Sequence, residues 1–139
     1  MDLNTLKENS LFPVGEENTA FAAYFDGTSY LNMLTTQQVP IGNVTFEPGC
    51  RNHWHIHKAT QGGGQILLVT AGGVITRSGA KPSPGAPPGA RGEHSPNVKH
   101  WHGAAPDSAF QHLAVEVPGE GTGSQWLEAV DPAEYAKLK

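Results

Sequence analysis

At 139 residues, 37% of them hydrophobic, the chain is sized for one domain with a core of its own. A net charge of −4, a pI near 5.9 and no run of Lys or Arg exclude an electrostatic nucleic-acid surface, which needs clustered cations. No apolar run approaches the ~18 residues of a membrane helix, and the start Met1-Asp-Leu-Asn-Thr-Leu-Lys-Glu lacks an export signal, so the expectation is a cytoplasmic protein that takes a small molecule, with no nucleic acid and no membrane as partner.

In chain order, residues 1–19 read as a polar N-terminal arm and 20–139 as a single domain. Ala20 to Phe25 and Tyr30 to Leu34 read as strands broken by the Asp26-Gly27 turn signal. Ile41 to Phe46 alternates apolar and polar residues, and Glu47-Pro48-Gly49 then turns the chain into a histidine-rich strand. Gln65 to Ala71 is a mostly apolar strand closed by Gly72-Gly73, and Ala109 to Val117 is another. Trp126-Leu127 is expected to return onto the barrel, and Asp131-Pro132 begins a helix, Asp as N-cap and Pro at the first helical position. Short strands punctuated by Gly and Pro indicate an all-β barrel or sandwich.

The chemistry lies in the histidines. There are seven, and His53, His55, His57, His100 and His102 form two tight clusters. Alternate residues of a strand share a face, so His55-x-His57 sends two imidazoles to one side and His100-x-His102 repeats the arrangement on a distant segment. If Gln65 to Val69 is a strand, Gln65, Leu67 and Val69 share a face, and the Gln65 carboxamide can add an oxygen donor. Imidazoles with an oxygen donor and no thiolate suit one divalent ion, manganese, iron or zinc, without selecting among them. Cys50 has no partner for an internal disulfide, which agrees with a reducing compartment, and it reads as a packed thiol.

Gly49, His55, His57, Gln65 and Gly72 together resemble the first cupin motif, with Gln65 where many cupins carry a glutamate and with seven residues, Lys58 to Gly64, where the pattern normally has three or four. The second motif would end in His100, after a turn that Asn97 can make because Asn tolerates positive φ. Over residues 20 to 135 the chain is similar to small single-domain bacterial cupins, some of which are manganese-dependent hydroxynitrile lyases. The resemblance implies a jelly-roll-like β-barrel with a short C-terminal helix. It places His55, His57, Gln65 and His100 on the metal ligands and His112 on the inward position that the lyases use for acid–base work. It also implies a homodimer, paired through edge strands and N-terminal segments.

Residues 76–96 break the pattern: they are rich in Pro and Gly, show no apolar alternation, and carry four prolines before Pro96 that cannot sit in paired central strands. Related cupins place two strands here. Codons allowed for Gly85 to Ser95, read one base later, can spell Glu-Leu-Arg-Pro-Gly-Arg-Val-Val-Asn-Ile-Pro, which is nearly the family segment. Codons for Gly73 to Gly79, read from the third base, can spell Arg-His-Tyr-Gln-Glu-Trp-Gly. A frameshift restored at Pro96 is therefore the reading, against a genuine Pro/Gly-rich lid, and it predicts the loss of two barrel strands.

His102 and His112 are the candidate catalytic, proton-transfer residues, since imidazole takes and gives protons near neutral pH; His102 has the alternative of a plain hydrogen-bonding role in the barrel. His53 reads as a surface residue and His94 is given no role. Glu116 shares the parity of His112 and Ala114, so it either orients a ligand imidazole or faces solvent. Trp54 and Trp101 alternate with the ligands and should pack away from the metal. Two classes of function follow: a metal-dependent small-molecule enzyme, hydroxynitrile-lyase-like or else a dioxygenase or isomerase, and a metal- or ligand-sensing cupin without turnover.

Overall fold

A computed structural model describes residues 1–72, 74–78 and 81–137, and the side chains of these outside 74–86. Gly73, expected to close its strand, and the Gly79-Ala80 step of the anomalous segment lie outside the described residues, as do the last two residues of the C-terminal helix expectation.

Two antiparallel sheets curl against each other. The first runs Glu16–Glu17, Ser29–Thr35, Ile41–Phe46, Phe110–Glu116, Gln65–Gly72, Arg91–His94 in spatial order. The second runs Lys81–Ala86, Val74–Ser78, His100–Ala104, Arg51–Asn52, Phe25–Asp26, with His55–Lys58 joining His100–Ala104 to Gly123–Trp126. The period of two holds where the sequence suggested it: Gln65, Leu67 and Val69 are buried in alternation, as are His55 and His57. Phe46, Cys50, Val69, Ala104 and Phe110 form the core between the sheets. Each large apolar side chain buried there contributes about 1.5–3 kcal/mol. Gly72 has φ of 75°, and a Cβ on it would meet the Ala109 carbonyl oxygen at 1.8 Å, so this crossing of two chain segments admits glycine alone.

Three expectations change. The segment from Ala20 to Phe25 is not a strand: Ala22–Tyr24 is a 3-10 turn and only Phe25–Asp26 pairs, with Arg51–Asn52. The N-terminal arm contains a helix, Leu3–Asn9, whose N-cap Asp2 accepts from the Thr5 amide at 2.8 Å. Its buried Leu6 packs with Val14 and Ala109, and the Ala109 amide donates to the Met1 carbonyl, so the arm is docked on the barrel. Within residues 74–96 the chain forms three strands, Val74–Ser78, Lys81–Ala86 and Arg91–His94. The proline rule survives: Lys81–Ala86, which carries Pro82 and Pro84, is an edge strand with one partner among the described residues and a register shift between Ser83 and Ala86. The expected loss of two strands thus fails, because an edge needs fewer N–H donors than a centre.

At the C-terminus, Asp131 caps Pro132–Ala136 by accepting from the Ala133 amide at 2.8 Å, with Pro132 at the start. The buried Tyr135 hydroxyl donates to the Ala104 carbonyl and packs with Trp101 and Val130, and Trp54 covers the group. Both tryptophans therefore turn away from the histidines. No described helix is long and apolar enough to cross a membrane.

Candidate metal centre

Register brings the two histidine segments together. His100 pairs with His55 across neighbouring strands, and their ring centroids lie 4.2 Å apart. Among the described residues, His55, His100 and His102 each offer a ligand nitrogen within 4.8 Å of the others, and all three are buried. His55 Nδ1 donates to the His53 carbonyl at 2.8 Å and His100 Nδ1 donates to the Val98 carbonyl at 3.0 Å. Each donation fixes the Nδ1–H tautomer and leaves an Nε2 lone pair; that of His100 is buried with no partner.

Of the four ligands read from the sequence, His55 and His100 belong to this trio and His57 and Gln65 stand beside it. The His57 ring is 5.0 Å from those of His55 and His100, and its Nε2 is buried without a partner. Gln65 lies opposite Glu116 on the neighbouring strand and donates through Nε2 to a Glu116 carboxylate oxygen at 2.5 Å. Its Oε1 is left buried and unpartnered. Glu116 thus orients an amide, where the sequence suggested an imidazole or solvent. These orphaned buried acceptors fit a divalent cation, since buried polar atoms are otherwise satisfied.

His102 and His112, the two proton-transfer candidates, are also here, with ring centroids 5.0 Å apart. Both ring nitrogens of His112 are buried and unpartnered. The cavity they line is roughly 230 Å³ and includes His55, His57, Gln65 and Glu116. Its walls are apolar: Phe21, Phe25, Leu31, Val44, Phe46 and Trp126. Tyr24 stacks on Trp126 with ring centroids 4.7 Å apart and planes nearly parallel, which steadies that wall.

Burial holds these imidazoles neutral. It pushes His55 down to about 2, with the neighbouring His100 adding to the effect, and His94 to about 3. His100 and His112 fall to about 4 and His102 well below its ordinary range, again through burial first. Burial lowers His57 too, opposed by the Gln65 side chain, and raises Glu116. A set of neutral imidazoles is the form that a metal needs. Cys50 is wholly buried in the core and its thiol is pushed up to about 12, as a packed thiol should be.

Two residues of the site escaped the sequence reading. His94 is buried, stacks on His100 at 3.8 Å and pairs in register with Gln65. Its only signal was a place six residues before His100, in a segment with no alternation to declare a strand. Asn52 is buried against His102 and had no signal beyond an amide near the histidines. His53, expected at the surface, is half-buried at the margin of the site, with its Nε2 3.7 Å from the Asp26 carboxylate.

No protein-family model matches the chain. It is 39% identical over 121 residues to the (R)-mandelonitrile lyase of Granulicella tundricola, covering 84% of this chain and 88% of that protein. The crystal structure of a cupin-like protein from Thermotoga maritima superposes with a TM-score of 0.82 at 34% identity, over 94% of this chain and 98% of that one. A predicted oxalate decarboxylase from the same organism shares the fold alone, with a TM-score of 0.64 at 14% identity over 73% of this chain and 90% of that one. With the paired histidine strands, the curled sheets and these relatives in view, the chain belongs to the cupins, as a small member similar to hydroxynitrile lyases.

Proposed function

We propose that the protein is a metal-dependent lyase that cleaves cyanohydrins of aromatic aldehydes. The observation that carries this reading is the placement of His55, His100 and their neighbours beside a cavity with aromatic walls, with a buried, unpartnered imidazole, His112, on the same cavity. The likeness to a mandelonitrile lyase supports the choice of substrate class, and Phe21, Phe25 and Trp126 supply ring-sized apolar surface for an aryl group.

His55 and His100 would hold the ion, with His57 Nε2 and Gln65 Oε1, both buried without a partner, as the further donors; manganese, iron or zinc each suits that donor set. When bound, such an ion supplies Lewis-acid polarisation of a substrate oxygen. The chain's own work is proton handling. A neutral imidazole on the cavity takes the cyanohydrin hydroxyl proton, the carbon–carbon bond to the nitrile breaks as the carbonyl forms, and cyanide leaves with the electron pair. The resulting imidazolium returns its proton to cyanide, so aldehyde and hydrogen cyanide are the products and the protein is unchanged. The apolar walls keep water from competing for that proton.

The test is elemental analysis of the purified protein and of a His55→Ala/His100→Ala variant, with circular dichroism on both, followed by chromatographic assay of (R)-mandelonitrile cleavage after reconstitution with manganese, iron or zinc. Near-stoichiometric metal in the wild type, its loss in the folded variant, and metal-dependent benzaldehyde release are expected. A folded wild-type chain that binds none of the three ions overturns the reading.

A further inference from the structure

The backbone amide of His102 donates to Asn52 Oδ1 at 2.9 Å. A backbone N–H can only donate, so the Asn52 atom that meets it must be the oxygen, and the other end of the amide must be the NH2 group. That NH2 group lies 3.1 Å from His102 Nε2. An amide NH2 has no lone pair to offer, so Nε2 must be the acceptor and bare of hydrogen. The remaining nitrogen, Nδ1, then carries the ring's single proton. Both Asn52 and His102 line the cavity, and His102 Nδ1 is buried with no partner of its own.

We propose that Asn52 is a positioning residue that locks His102 in the Nδ1–H tautomer, making it a fixed hydrogen-bond donor in the cavity and withdrawing its Nε2 lone pair from use as base or ligand. The proposal rests on the proposed function for its meaning, because it divides two imidazoles that spacing alone leaves equivalent. His112 has neither nitrogen engaged and keeps a lone pair for a substrate proton. His102, with Nε2 already accepting, has only a donor to offer, suited to a developing negative charge on the substrate. It also separates His102 from His55 and His100, whose Nδ1 donations leave Nε2 free, although the three nitrogens are close enough to share one ion.

The lock makes a prediction that a merely structural asparagine would not. In Asn52→Asp, both oxygens of the side chain accept: one can keep the backbone amide of His102, and the other then demands a hydrogen on Nε2. In Asn52→Ala the ring is released. The readout is the set of long-range 15N–1H correlations of the imidazole of His102, assigned with His102→Gln, in metal-free and zinc-loaded wild-type protein and in both variants. Expected are a protonated Nδ1 and bare Nε2 in the wild type, and a protonated Nε2 in Asn52→Asp. A wild-type His102 protonated on Nε2 alone, or an Asn52→Asp protein that keeps a bare Nε2, overturns the proposal. The wild-type spectrum, once assigned, decides even if neither Asn52 variant folds. It also stands apart from turnover: a locked tautomer in a protein that cleaves no cyanohydrin would sink the lyase reading and leave the lock intact.

Discussion

The two His-x-His pairs have the same spacing and opposite fates within each pair. The first members, His55 and His100, face each other in register and each donates Nδ1–H to the carbonyl two residues before it. The second members are held by other residues: His102 by the Asn52 amide and His57 beside Gln65. Strand parity therefore decides which face a histidine occupies, while its partner decides which nitrogen it offers. An i−2 carbonyl comes with the strand and needs no special residue. An amide partner is a choice of sequence, and it can turn the same imidazole from a ligand into a donor.

Acid should erase the difference between the pairs and has the largest expected effect. The folded-state values of His55, His94, His100 and His112 are pushed down to between about 2 and about 4, against 6.5 for an ordinary imidazole. Above pH 6.5 folded and unfolded chains are both neutral at these sites, so nothing is lost. As pH falls below 6.5 the unfolded chain takes up protons that the folded one refuses, and each such histidine costs on the order of 1.4 kcal/mol per pH unit until its folded value is reached. Thermal unfolding of the metal-free protein followed by circular dichroism should show a level melting temperature from pH 8 to 7 and a steep fall between 6 and 4.5. A flat profile through pH 5 would mean that the imidazoles are not held neutral by burial.

Removing a first member should cost more than removing a second. His55→Ala or His100→Ala is expected to abolish metal retention through gel filtration, whereas His57→Ala should keep partial occupancy; elemental analysis of the three proteins side by side gives the ranking. An equal loss in all three would place His57 on the same footing as the close trio. His112→Ala should retain its metal and lose roughly 10²- to 10⁴-fold in turnover, the usual worth of a general base. Cyanohydrin cleavage measured at saturating substrate checks this, and an unchanged rate would move the proton-handling role elsewhere.

Much of this was legible in the chain itself. The barrel, the His55–His57 and His100–His102 faces, the Gln65–Leu67–Val69 face, the positive φ of Asn97 at 65° and the Asp131 cap all follow from local pattern and turn chemistry. What stayed hidden depends on register. Nothing in the order of residues says that His94 lies across from Gln65, because Arg91–His94 has no apolar alternation and takes its strand character from the neighbour it pairs with. Nor does the sequence say that Lys81–Ala86 is an edge, where prolines are tolerated. We propose still that residues 76–96 reflect a compensated frameshift; independent sequencing of the encoding DNA against close relatives tests it, and the absence of paired insertions or deletions would establish the segment as a true Pro/Gly-rich edge.

Glu116 offers the smallest and most selective test of how a partner sets a donor. Its carboxylate accepts from Gln65 Nε2 and so turns Oε1 into the buried space beside His57. In Glu116→Leu, the amide loses the acceptor that holds this orientation and can rotate either end inward, and an inward NH2 cannot coordinate a cation. Zinc affinity measured by competition with a chelator should weaken by roughly 10- to 100-fold, the range found when a group that orients a metal ligand is removed. Glu116→Gln should fall between wild type and Glu116→Leu, because its own carbonyl can still accept from Gln65 while its amide group competes for the same position. If Glu116→Leu binds zinc as the wild type does, the Gln65 oxygen is no ligand, and the ion is held by imidazoles alone.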